Sequence, residues 1–359
     1  MRVWMKRGWF SAACLACLID GGHAWGEEVA SQACQVPEVA ERGTSTTKRS
    51  ESALFPRITI EKPGTFCLDS DLRQSPLKDP RRGGAEVFSL VEAMIRIRAN
   101  DVTLDLAGHT VSNGMRHGMT LIWFSKFAIG TRGGTRLRHA HIRNGQLSSP
   151  GPTGIGIDLT ASKPYGQRSL QPASIPDGLR SSEVFEDTRH LIESMNIDSG
   201  KRGIQLDGQN NIIRNNHIVV DGATAIVAQG PGIIIEDNII EVRKDFSSFS
   251  EHDRRRESMT PFPIRLIQAD GAIVRNNQIR LVDRALRGSL PAAIELVESK
   301  DVSVQGNRFG GMDAPVHADA ASSYRDAGNH PEPCLAGATR YLPPDDAVDS
   351  GRLRVPACR

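Results

Sequence analysis

Asp158 in GIGIDLT and Asp207 in GIQLDGQ stand at matching places in two similar segments. If these are strands of adjacent coils, parallel stacking sets their carboxylates roughly 5–6 Å apart, close to one strand spacing. Like charges that near raise one pKa and leave an acid beside a base; the same pair could hold Ca²⁺. Carboxylate pairs at such separations serve glycosidic bond hydrolysis. Both segments are also good Gly-rich turn sequences, in which an aspartate needs no chemistry.

Aligning the similar segments extends the pair into two columns. The first holds Arg96, Thr120, Gly156, Gln205, Val227, Arg265, Glu295 and His317. The second, two residues on, holds Arg98, Ile122, Asp158, Asp207 and Gln229, then Gln268 and Glu298 with one residue of slip, and Asp319. The face they form is mixed and polar, as a sugar-binding surface is, although any solvated sheet face reads similarly. Arg265 and Glu295 fall on neighbouring copies and fit either a site or a cross-strand ion pair. Lys201 and Arg202 enter this strand from the preceding turn. In a β-eliminating lyase such a base takes the proton beside a uronate carboxylate; an exposed loop pair is the plainer alternative. Two insertions, 160–187 and 243–262, would wall the face on opposite sides. The second carries five Lys/Arg, four Asp/Glu and His252, with Phe246, Phe249 and Phe262 available to stack on sugar rings. Candidate catalytic residues are thus Asp158, Asp207, Arg265, Glu295 and His252. Candidate substrate-binding residues are Lys201, Arg202, Gln205, Gln229 and Phe249.

What must position these residues is a repeat. NIIRNNHI, GIIIEDNII, GAIVRNNQI and DVSVQGNRF superpose as apolar, apolar, polar, any, Asn, any, apolar. Their asparagines are Asn216, Asn238, Asn277 and Asn307, separated by 22, 39 and 30 residues, as if loops interrupt a unit of about 22. TRLRHAHIRNGQL and HLIESMNI are weaker copies, with Ala140 and Met195 at the Asn place. Period-2 apolar segments split by short turns at that spacing define a β-solenoid, three strands to a coil. The asparagines have a structural role: stacked in a tight turn, where Asn tolerates the left-handed conformation a corner needs. Seven or eight coils with rungs roughly 4.8 Å apart make a rod about 35–40 Å long.

The chain has 359 residues, with 34 Gly and 20 Pro spread along its length, as many short strands require. Arg2, Lys6 and Arg7 precede an apolar run from Trp9 to Ile19 that is too short to span a bilayer, and small residues follow. This has the form of a secretory signal over 1–25, which predicts export to the periplasm or medium and no membrane span afterwards. Four cysteines then remain. Their even number in an exported chain favours disulfides, and their placement suggests Cys34–Cys67 and Cys334–Cys358, one staple at each end of the solenoid. Removing 1–25 leaves acidic and basic side chains in balance, so nothing predicts a nucleic-acid partner. The expected organisation is a signal peptide (1–25), a flexible segment (26–55), the solenoid (56–320) and a C-terminal cap or tail (321–359).

The four Asn repeats, and the opening unit PGTFCLDSDL…IRIRANDVTLDLAGHTV, resemble the right-handed parallel β-helix proteins of the pectate-lyase-like superfamily over roughly 56–320. The resemblance implies an all-β right-handed parallel β-helix, with substrates lying along the third strand of each coil. It implies no particular reaction, because the superfamily holds lyases, hydrolases, epimerases and non-enzymatic binders. Within 56–320 the polygalacturonase motifs Asn-Thr-Asp, Asp-Asp, Gly-His-Gly and Arg-Ile-Lys are missing, as are the Asp-Pro-His of alginate epimerases and the Trp-Ile-Asp-His of pectate lyases. No catalytic residue transfers from the family. Two functions remain in view: an exported protein that binds, and cleaves or modifies, a polysaccharide, or a non-catalytic envelope scaffold. No cofactor is expected beyond the Ca²⁺ alternative at Asp158 and Asp207, and oligomeric state is left open.

Overall fold

The computed structural model describes residues 34–38, 58–74, 77–79, 85–87, 93–113, 120–124, 137–150, 154–160, 185–222, 224–243, 251, 262–282 and 290–331. Every named element among them is a strand. One sheet has nine strands, and their order in space is their order in the chain: Ile58–Ile60, Ala93–Ile97, Thr120–Phe124, Ile155–Leu159, Arg202–Asp207, Ile226–Gln229, Ile264–Ile267, Ile294–Val297 and Val316–Ala318. A second sheet has sixteen strands in two wings. Pairing in both is parallel; among the described residues only Leu77–Asp79 and Ala85–Val87 pair antiparallel. Each coil therefore lays one strand in the first sheet and two in the second, which is a parallel β-helix. Parallel crossovers favour the right-handed winding.

Nine strands exceed the seven or eight coils expected: the additional one is Ile58–Ile60, which pairs with Ala93–Ile97 ahead of the repeats. Tyr324–Ala327 and His330–Pro331 still pair in the second sheet, past the expected boundary at 320. At the other end Gln35 bridges Phe66, and Cys34 is disulfide-bonded to Cys67. Part of the expected flexible segment is thus tied to the first coil. Residues 1–33, Cys334 and Cys358 lie outside the described residues, as do the signal and the second staple predicted on them.

The apolar columns explain the winding. Ile95, Ile157, Ile204, Ile226, Ile264 and Ile294 belong to one file of the nine-stranded sheet, and each is at most 1% exposed. Burying a side chain of that kind stabilises by roughly 1.5–3 kcal/mol, and here its cover is the same residue one coil away.

The two wings meet at a corner built by asparagine. Asn216, Asn238, Asn277 and Asn307 are buried, and each donates from Nδ2 to the next Oδ1 at 3.0, 2.9, 2.9 and 2.9 Å, the last contact reaching Asn329. The same oxygens accept the preceding asparagine's backbone N–H, at 2.8–3.0 Å. Asn329, in YRDAGNHP, is a fifth member that the apolar pattern hid, because Tyr and Asp occupy its strand. The left-handed residue is not the stacked asparagine, as expected, but its predecessor: Asn215, Asp237, Asn276, Gly306 and Gly328, with φ between 54° and 65°. That turn points the following side chain inward.

Two strands, Ala140–Ser149 and Leu191–Ser199, run unbroken through the corner and unite the wings. Met195 keeps its place there. Ala140 does not: the register sets Gly145 opposite Met195, while Ala140 pairs with Val102.

Beneath the next corner His190 is 1% exposed, and its Nδ1 accepts the Ala140 N–H at 3.1 Å. Burial, and secondarily the nearby His139, push its pKa down to about 3. The unfolded chain binds a proton near pH 6.5 and the folded one does not, so stability falls as pH drops from about 6.5 toward 3. Going from pH 7 to pH 5 should cost about 2 kcal/mol through this residue. His190→Gln should flatten that part of a urea-midpoint-against-pH curve; an unchanged curve would show the ring is protonated when folded.

Candidate functional site

The outward file of the nine-stranded sheet runs Arg96, Asp158, Gln205, Val227, Arg265, Glu295, His317, with the backbone of Trp123 in register between Arg96 and Asp158. In this register Trp123 and Asp158 stand where Thr120 and Gly156 are expected. Gly156 turns inward instead: a Cβ there would meet Ile197 Cγ2 at 2.7 Å and the Gly203 carbonyl at 2.6 Å. This shift carries Asp158 out of the second column and into the first. Asp158 therefore stands beside Gln205, and Asp207 beside Gln229. The two aspartates are one coil and two residues apart, about 8 Å between backbones by strand geometry, not at equivalent positions.

Asp158 ends a chain of hydrogen bonds. Arg202 Nη1 donates to Gln205 Oε1 at 3.0 Å, and Gln205 Nε2 donates to Asp158 Oδ2 at 2.8 Å. Asp158 Oδ1 accepts the Thr160 N–H at 3.0 Å and hydroxyl at 2.6 Å. The guanidinium needs an acceptor and the carboxylate a donor, so the Gln205 amide has one orientation. Burial pushes the Asp158 carboxyl up, against the pull of Thr160, Gln205 and Arg202. With an amide N–H aimed at its free oxygen, Asp158 makes with Asp207 a poor cradle for Ca²⁺, which needs acceptors all round.

The second row is also linked. Gln229 Nε2 donates to Gln268 Oε1 at 3.2 Å, Gln268 Nε2 to Glu298 Oε2 at 2.9 Å, and the Glu298 N–H to Asp319 Oδ2 at 2.9 Å. Gln268 and Glu298 have φ of 50° and 48°, and these left-handed residues produce the one-residue slip in that column.

The middle of this face is closed. Gln205, Asp207 and Gln229 are 8%, 7% and 5% exposed, and Arg202 is 7%; Lys201 is half-buried. Access improves toward the last coils. Arg265 Nε lies 2.7 Å from Glu295 Oε2, with side chains 22% and 16% exposed. Neither Nε nor Oε2 makes a directed hydrogen bond, so the guanidinium acts on this carboxyl through its charge. Burial raises the Glu295 pKa; Arg265 and His317 oppose the rise and Asp319 adds to it. Asp319 moves the other way. Burial works against ionisation there, but hydrogen bonds from Ser322, Glu298 and Ala321 prevail and hold it below the ordinary range. His317 stacks on Phe262, ring centroids 5.4 Å apart.

The sequence thus names Arg265 and Glu295 but passes over two supporting roles: Thr160 fixing Asp158, and the stacking of Phe262 on His317. Thr160 follows Asp158 by two residues, a spacing that signals a local turn bond. Phe262 and His317 are far apart in sequence and give no signal. His252 and Phe249 lie outside the described residues. Among the described residues there is no cluster of three or more metal-ligating side chains, and no helix is long and apolar enough to cross a membrane. Comparison with protein-family models, with curated proteins and with solved structures finds no match.

Proposed function

We propose that this chain is an exported polysaccharide-binding β-helix protein, of the pectate-lyase-like type, that cleaves its ligand at the last coils of the nine-stranded sheet. The carrying observation is the file Arg265, Glu295, His317 on successive coils, with Glu295 pushed toward its neutral form beside an anchored, ionised Asp319. Two carboxyl groups driven apart in pKa are the requirement for an acid and an anion acting on one bond. Glu295 gives its proton to the leaving glycosidic oxygen as that bond breaks, water then adds to the anomeric carbon and returns a proton to Glu295, Asp319 supplies a fixed negative charge, and Arg265 a cation for an acidic sugar. The buried chain through Arg202, Gln205 and Asp158 is the rigid floor beside that end. Export accords with the Cys34–Cys67 disulfide, which oxidising compartments permit.

The test is a panel of pectin, alginate, glycosaminoglycans and neutral glucans, read for both reducing ends and unsaturated products. Glu295→Gln should lower turnover about 100-fold with binding retained, the low end of what general acid catalysis contributes. Arg265→Ala should weaken binding of the acidic polymers only. The scaffold reading keeps one favouring observation, the closed and internally satisfied middle of the face. Neither binding nor cleavage of any polymer would decide for it.

A further inference from the structure

The outer face of the wing that precedes the asparagine corner carries two files unlike those of the candidate site. In the first, Leu191, Ile212, Ile234 and Ile273 occupy successive coils in register. All four are half-buried, whereas the residues inside the same strands, such as Ile192, Ile213, Ile235 and Val274, are fully covered. Four stacked aliphatic side chains on an outward file are a continuous stripe, not the scattered apolar residues of an ordinary surface.

The second file, two residues on, alternates in charge: Asp105, Arg143, Glu193, Arg214, Glu236, Arg275. Neighbours pair along it, Arg143 with Asp105 at 2.9 Å, Arg214 with Glu193 at 2.7 Å, and Arg275 with Glu236. Alternation has a geometric consequence. If two copies meet face to face about a two-fold axis parallel to the rod, each coil meets its own equivalent with strand direction reversed: over the charged file every charge meets its like, and midway between the files every charge meets an aliphatic side chain. If the axis instead runs along the strands, the order of coils reverses while the files still face each other. Centred between the coils of Ile212 and Ile234, that axis opposes Ile212 to Ile234 and Leu191 to Ile273. In the charged file it opposes Arg214 to Glu236 and Glu193 to Arg275. These four central charges then each meet their opposite, while Arg143 meets Gln305.

We propose that this face is an interface between two copies of the chain, packed with their rods antiparallel. A self-complementary patch is what a two-fold interface requires. The wing is roughly 40 Å by 10 Å from rung and strand spacings, on the order of 400 Å² per partner. That area is at the low end for specific association, so the dimer is a weak, exchanging one.

Sedimentation velocity of the purified protein over about 5 to 500 µM, a range suited to so small an interface, should show a monomer–dimer equilibrium. Ile234→Lys sets a cation against the partner's Ile212 and should weaken the dimer at least tenfold, with circular dichroism and melting unchanged. The fourfold variant Glu193→Arg, Arg214→Glu, Glu236→Arg, Arg275→Glu keeps the alternation. It should pair with itself and not with the parent protein. A mixture of Leu191→Cys and Ile273→Cys proteins should cross-link between positions 191 and 273, and Leu191→Cys alone should not. A monomer at every concentration, a dimer indifferent to Ile234→Lys, or 191-to-191 cross-links would each overturn the proposal. None of these readouts depends on polysaccharide.

Discussion

Asn277→Asp, a change of one atom in a buried corner, should cost the β-helix on the order of 4 kcal/mol, and Asn277→Ala about 3 kcal/mol. Asn277 works in two directions. Its Oδ1 accepts the Asn238 backbone N–H at 3.0 Å and the Asn238 Nδ2 at 2.9 Å. Its Nδ2 donates to the Ile235 carbonyl and to Asn307 Oδ1, both at 2.9 Å. Alanine leaves two buried donors of Asn238 and one buried carbonyl without partners, each worth about 1–3 kcal/mol less any relaxation. Aspartate keeps the acceptor but turns a second oxygen toward two oxygens, in a position 1% exposed.

The aspartate variant also has a pH signature. Its folded pKa would rise above the unfolded value of about 3.9, because only the neutral carboxyl can donate. The penalty is therefore complete above the folded pKa and shrinks as pH falls toward the unfolded one. The alanine penalty does not change with pH. Urea midpoints for both variants at pH 7 and pH 4.5 separate the cases. A loss below about 1 kcal/mol for either would mean the ladder contributes little beyond an ordinary exposed turn.

The ladder is the most legible part of the molecule in sequence, and the reason is chemical. A stacked amide needs its copy one coil away, so the requirement is written at every turn. Inward isoleucines repeat for the same reason. Register across interruptions is not legible in this way. Ala140 lies five residues from the true ladder position, Gly145, because this coil turns at Asn144, with φ 55°, and the weak copy carries no asparagine after that turn to mark it. The column that periodicity predicts for Asp158 is two residues off because Gly156 faces the core, and a glycine carries no polarity by which to read its side.

The functional face is legible only as a set of polar residues. Whether Asp158 meets Asp207 or Gln205 depends on a two-residue shift that periodicity cannot detect, since both registers keep alternate residues outward. The Arg265–Glu295 neighbourhood is predicted correctly because no insertion or inward glycine lies within their two strands. The apolar stripe at Leu191, Ile212, Ile234 and Ile273 stands in plain sight as the doubled apolar start of each repeat. It reads as core, because only the register tells which of two adjacent isoleucines faces out.

Gly145→Ala should destabilise the protein by about 3 kcal/mol, the upper part of the range for forcing atoms into a packed core. Gly145 holds the ladder position in its coil, but no amide fills the corner there. Leu106 from the coil before does so, and it is fully buried. A Cβ at 145 would overlap Leu106 Cβ outright and sit 2.6 Å from Cδ1 and 2.9 Å from Cγ. A rotamer change moves the last two atoms and not the first, which is fixed by backbone. That backbone cannot yield cheaply, since Ala140–Ser149 pairs with Val102–Asp105, Thr110–Asn113 and Leu191–Ser199 at once. Gly108 makes the control. It has φ +83°, and a methyl group there would meet nothing within 4 Å, so Gly108→Ala should cost only the left-handed strain of about 1–2 kcal/mol. A double-mutant cycle isolates the clash. In a Leu106→Gly background the Gly145→Ala change meets no Cβ, and its cost should fall nearly to zero, giving a coupling of about 3 kcal/mol between two residues 39 positions apart in sequence. Equal costs in the two backgrounds would assign the loss to the backbone at 145 and not to Leu106.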